Sequence, residues 1–145
     1  MALINFPTTP SLNQVYTFGN NTWIYNNTGW AMQSAGSSWN TPKVQTVTYG
    51  LTQTINWTQI DVSELTLTGS TTITNSGAVD GQKLLLQVKQ GGTGSYTIAF
   101  TTETKFGTDL TAIVLSTAVG VVDMIGLQYS SLNGKYNVVA FVKGF

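Results

Sequence analysis

The sequence contains no cysteine and no histidine. Those two absences exclude disulfide frameworks, zinc sites of the usual kind, thiol nucleophiles and the commonest general base. Arginine is missing too, so six lysines alone balance six carboxylates, for a formal net charge of +0. With no basic run anywhere, there is no electrostatic footprint for a nucleic-acid backbone, and nucleic acid is not an expected partner. Charged residues are only 8% of the chain, against roughly 25% in ordinary soluble domains. The surface must therefore be wetted by Thr, Ser, Asn, Gln and Gly, and little self-repulsion keeps copies apart, which suits a surface partly covered by partners. No run of about 18 apolar residues occurs. Residues 1–6 lack a positive segment leading into a long apolar one, so neither membrane insertion nor a signal peptide is expected.

What the chain does have is β-forming material. At 145 residues it can hold one domain with a real core and a small accessory module. No segment keeps a helical period. Apolar residues alternate in short runs bounded by Gly, Asn, Asp and Ser, the pattern of strands joined by turns. Runs at 15–18, 22–25 and 29–32 are separated by Gly19-Asn20-Asn21 and Asn26-Asn27-Thr28, whose residues tolerate the positive φ of hairpin turns. They predict a small three-stranded meander, preceded by an extended arm through Phe6-Pro7-Thr8-Thr9-Pro10. The meander's aromatics must supply most of its core. Residues 1–33 thus form an N-terminal arm and Trp-rich meander. Residues 34–43, small and polar apart from Trp39, read as a linker.

Residues 44–145 predict a larger domain, with strands at 44–49, 55–60, 64–67, 71–74, 83–89, 96–100, 112–115, 121–129 and 135–143. Leu84, Leu86 and Val88 alternate with Lys83, Gln87 and Lys89, and Tyr96, Ile98 and Phe100 alternate with threonines and alanine. The glycine-rich run from Gln90 to Ser95 is expected to join these two strands as a hairpin, and Tyr136, Val138, Ala140 and Val142 to form one core face. Leu85, Val139 and Phe141 put apolar groups on the opposite face, which should also be covered, by a second sheet or a neighbouring subunit. The expected class is all-β: an antiparallel β-sandwich or jelly-roll-like domain preceded by the three-stranded meander. No repeat of solenoid period is evident.

Chemistry finds little purchase. The carboxylates are Asp61, Glu64, Asp80, Glu103, Asp109 and Asp123. Asp61 and Glu64 are close enough to share a site, but a turn in which Asp caps backbone amides is the favoured reading. Asp123 sits among apolar neighbours, where a carboxylate must be hydrogen-bonded, and its expected duty is to tie a loop to the sheet. The run Gln90-Gly91-Gly92-Thr93-Gly94 lacks the Gly-Lys-Ser/Thr of a phosphate loop. No enzymatic activity, cofactor or metal is expected. The remaining signal is aromatic: Trp23, Tyr25, Trp30, Trp39 and Trp57 are candidate interaction residues. Stacking on sugar rings is possible for such side chains, but a mini-core with an intersubunit contact is favoured.

Two stretches resemble virion proteins of tailed bacteriophages. Pro7-Thr8-Thr9-Pro10-Ser11-Leu12-Asn13-Gln14-Val15-Tyr16 followed by Asn21-Thr22-Trp23-Ile24-Tyr25-Asn26-Asn27-Thr28-Gly29-Trp30 is similar to a Trp-rich hairpin module of tail-fibre proteins. Leu65-Thr66-Leu67-Thr68-Gly69, Leu84-Leu85-Leu86-Gln87-Val88-Lys89-Gln90, Thr97-Ile98-Ala99-Phe100, Val122-Asp123-Met124-Ile125-Gly126-Leu127-Gln128-Tyr129 and Gly134-Lys135-Tyr136-Asn137-Val138 resemble, in that order, a β-sandwich domain of fibres, spikes and head decorations. The family pattern has Trp and Pro where this chain has Lys105-Phe106-Gly107 and Leu110-Thr111-Ala112. The resemblance implies a non-enzymatic structural protein on the virion surface, a homo-oligomer with a trimer favoured. It would be a small capsid decoration or cement protein, or a head-fibre subunit, touching the major capsid protein or another virion protein. The alternative it implies is a tail-fibre or spike protein recognising a host surface glycan. A fibre carries a separate anchor and shaft, so the small size favours the decoration reading.

Overall fold

The computed structural model describes residues 5–18, 21–33 and 42–145. The chain divides into two compact units, Met1–Thr41 and Pro42–Phe145. In the first, β1 (Val15–Phe18), β2 (Asn21–Tyr25) and β3 (Trp30–Gln33) form the expected antiparallel meander. Tyr16 lies opposite Trp23, and Trp23 opposite Met32, so the large rings share one face. The chain before β1 does not run free. Phe6 folds onto that face, stacked on Trp30 at 5.2 Å between centroids and edge-on to Trp23 at 5.3 Å.

The second unit carries nine strands: β4 (Val44–Val47), β5 (Thr52–Asn56), β6 (Val62–Leu67), β7 (Thr71–Ser76), β8 (Lys83–Gln90), β9 (Ile98–Phe100), β10 (Thr104–Lys105), β11 (Val122–Ser130) and β12 (Lys135–Val142). They make a six-stranded sheet, β10-β12-β11-β8-β6-β4, and a three-stranded sheet, β5-β7-β9. The two sheets enclose one core, with Ile55, Leu65, Leu67, Ile73, Leu86, Ile125 and Leu127 at its centre. The fold is all-β and sandwich-like, as expected.

Its strand directions differ from the antiparallel jelly-roll expectation. From β4 to β9 the chain crosses to the other sheet after every strand, so β4, β6 and β8 pair in parallel, as do β5, β7 and β9. This is a three-turn coil of the kind that solenoids repeat. Only then do β11 and β12 close the large sheet as an antiparallel hairpin, with β10 parallel to β12 at its edge.

The stretch from Gln90 to Ser95 is therefore a corner between sheets and not a hairpin. Gln90, 1% exposed, pins the corner with its side chain. Its amide nitrogen donates to the Tyr96 carbonyl at 2.8 Å and its oxygen accepts the Tyr96 N–H at 3.1 Å. Gly91 donates to the Leu67 carbonyl at 2.9 Å. A Cβ there would lie 2.6 Å from that same oxygen, so only glycine lets the corner press against β6.

Two further expectations are corrected. Residues 112–115 are not a strand, although Leu115 is buried. Between β11 and β12 the pairing shifts after Gly126: Gly126 meets Ala140 and Leu127 meets Val138. The extra residue, Val139, reverses the alternation, so Phe141 packs on the core while Ala140 and Val142 face outward.

Candidate interaction surface

The carboxylates are dispersed, and three of them, Asp61, Asp80 and Asp123, accept hydrogen bonds that tie segments together. Asp61 accepts the Lys43 N–H at 2.9 Å, the capping role expected of it, while Glu64 points outward and is exposed. Among the described residues no group of three or more carboxylates could hold a metal ion. Asp80 accepts the Ser131 N–H at 2.7 Å, and that backbone bond, with the Ser131 hydroxyl second, holds its pKa below the ordinary carboxylate value. A folded pKa lower than the unfolded one contributes stability that is present above the unfolded value and lost as pH falls through the folded one. The acid limb of the stability–pH curve should accordingly flatten in Asp80→Asn. An unchanged limb in urea titrations between about pH 2 and 5 would contradict this role.

Asp123, 1% exposed, ties two segments to the large sheet. Its oxygens accept the Ser116 N–H at 2.6 Å, the Ser116 hydroxyl at 2.8 Å and the Gly144 N–H at 2.9 Å. An amide in its place presents a donor to one of those donors whichever way it is turned. Asp123→Asn should cost about 2 kcal/mol, and amide exchange at Ser116 and Gly144 should accelerate; full protection of both would refute the assignment.

The structure separates the aromatic candidates. Trp57 is 0% exposed and donates its indole N–H to Asn75 Oδ1 at 2.8 Å, while Asn75 donates to Thr104 Oγ1 at 2.9 Å. It is an interior residue, which corrects its assignment to an interaction surface. Trp23, 6% exposed, is the buried ring of the meander. Trp30 and Tyr25 are half-buried and tilted against each other at 5.6 Å, and Trp30 also carries the Phe6 ring. Trp39, with residues 34–41 of the expected 34–43 linker, lies outside the described residues. Sequence reasoning missed Phe6; the signal was an unpartnered aromatic directly before Pro7.

The outer faces of the two sheets differ in kind. That of the small sheet is hydroxyl-rich, with Thr52 opposite Thr72 and Thr54 opposite Thr74. Water satisfies such a face. That of the large sheet carries a continuous apolar row across five strands: Val44 opposite Val62, Val62 opposite Leu85, Leu85 opposite Gly126, and Gly126 opposite Ala140. Val44 is 53% exposed, and beside the row Val139 and Val142 are 62% and 50% exposed. Next to it lies a shallow groove of about 320 Å³ lined by Glu64, Leu65, Thr66, Gln87, Lys89 and Val122.

No protein-family model matches the chain, and a comparison with curated proteins finds no match.

Proposed function

We propose that this chain is a non-enzymatic structural subunit of a tailed-phage virion: an oligomeric capsid decoration, cement or head-fibre protein at the particle surface, in contact with the major capsid protein. One observation carries the self-association in this reading, the apolar row Val44, Val62, Leu85, Gly126 and Ala140 left open on the large sheet. A contiguous apolar patch on a face with few charges gains free energy when another surface covers it. The sequence resemblance supplies the particle. The glycan-adhesin alternative, which rests on Trp23 or Trp30, loses support from the burial of Trp23 and from the Phe6 ring stacked on Trp30.

The test is to purify particles from cells carrying the gene and from a deletion strain, and to compare their capsid surfaces by cryo-electron microscopy. Protein that co-sediments with particles, and surface density missing after deletion, are the expected results. Absence of the protein from purified particles overturns the proposal.

A further inference from the structure

We propose that the outer face of the six-stranded sheet binds the same face of a second copy about a twofold axis that runs along the Val44–Val62–Leu85–Gly126–Ala140 row. The inference deepens, and rests on, the reading of this chain as a self-associating structural subunit.

Strand register decides the geometry. On β8 the outward residues are, in order, Lys83, Leu85, Gln87 and Lys89, and Gln87 lies opposite Glu64 on β6. The only charge one outward step before the apolar row on β8 is Lys83, and the acid one step after the row, on the adjacent strand, is Glu64. A twofold axis along the row exchanges those two levels. Leu85 then meets Leu85 of the second copy and Val62 meets Val62. Each Lys83 is carried over Gln87 and beside Glu64, at the mouth of the groove that Glu64 and Gln87 line. Both ion pairs form at once, because the operation is its own inverse. Lys89, a further step along β8, falls outside that exchange. Gly126 keeps the middle of the row flat, so two sheets can approach to roughly 10 Å.

The area suffices. The five strands run from four residues in β4 to nine in β11, and at about 3.3 Å per residue and about 4.8 Å between strands they give a footprint of roughly 550 Å² per copy. Two such faces bury roughly 1,100 Å², just above the ~1,000 Å² that a specific contact needs. The phage resemblance implies threefold association, whereas this face is complementary to itself about a twofold.

Sedimentation equilibrium of the full-length protein between about 1 and 100 μM tests the contact. The expected result is a monomer–dimer equilibrium. Leu85→Asp, at an outward position, should leave only monomer with an unchanged circular dichroism spectrum. Glu64→Lys and Lys83→Glu should each raise Kd at least about tenfold, and the E64K/K83E double swap should recover dimerisation to within about threefold of the unaltered chain. Monomer throughout the range, a stable trimer, or single variants that weaken association without recovery in the swap would each overturn the contact. Particle binding is scored separately. A monomer that still coats capsids overturns this contact and leaves the shell role intact, whereas a swap-responsive dimer that never sits on particles overturns the shell role and leaves the contact.

Discussion

Replacing Trp57 with alanine is expected to remove about 4 kcal/mol of stability from the second unit, the largest effect of any single truncation in its core. The side chain is 0% exposed and is the largest among the fully buried ones. Its loss leaves a cavity and strands the Asn75 carbonyl oxygen, whose partner it was at 2.8 Å. Asn75 cannot turn to water, because it is 2% exposed and its nitrogen is committed to Thr104. A single domain has only about 5–15 kcal/mol in hand, so the variant should unfold at far lower urea with little change in slope. Trp57→Phe separates the two contributions, keeping most of the apolar volume while deleting the N–H; it should cost about 2 kcal/mol. An alanine variant within about 1 kcal/mol of the unaltered chain would show that the corner at Trp57 repacks, and that the Trp57-Asn75-Thr104 chain does not hold the small sheet to β10.

Why Trp57 reads as a surface residue in the sequence is instructive. It stands between Asn56 and Thr58 at the end of β5, and polar neighbours on both sides imitate an exposed loop. The chain turns there. Gln59 takes a φ of 58°, and the Gln82 amide donates to the carbonyls of Trp57 and Ile60 at 3.1 and 2.8 Å. Those long-range bonds, which local pattern cannot reveal, point the indole inward.

The same division separates what was legible from what was not. Period-two alternation marks which residues of β8 and β11 face the core, and it does so whether a strand's neighbour runs parallel or antiparallel. Strand existence and buried face were therefore readable at Leu84, Leu86 and Val88, while direction was not. The coil stayed hidden because its turns differ in length. Val44 pairs with Val62, 18 residues on, whereas Val62 pairs with Leu85, 23 residues on, so no fixed period exists to detect. At 112–115 the alternation is real but satisfied without a partner strand: Leu115 is buried and Ser116 is held by Asp123. Apolar groups on the outer face of the large sheet were readable at Leu85 and Val139, whereas Phe141, expected beside them, packs on the core. Val62, Gly126 and Ala140 join the outer face only through the register and the bulge at Val139.

Loss of the Phe6 or Trp23 ring is expected to dissolve the meander of the first unit while the second unit's unfolding transition stays in place. Three short strands cannot sustain themselves without an apolar face, and here that face is a cluster of five rings, Phe6, Tyr16, Trp23, Tyr25 and Trp30. Phe6 lies within 5.3 Å of Tyr16, Trp23 and Trp30, centroid to centroid, so each truncation removes several aromatic contacts together. Phe→Ala and Trp→Ala in a core cost about 3–5 kcal/mol, more than so small a module has in reserve. In Trp23→Ala or Phe6→Ala, near-ultraviolet circular dichroism from the ring cluster should vanish. Amide resonances of β1, β2 and β3 should collapse toward random-coil shifts, and those of β8 and β11 should remain dispersed. The two compact units make that selectivity the discriminating result. If β1–β3 kept their dispersion after Phe6→Ala, the residues before Pro7 would be an arm free to bind elsewhere. If β8 and β11 melted with them, the meander would be part of the same cooperative unit as the coil.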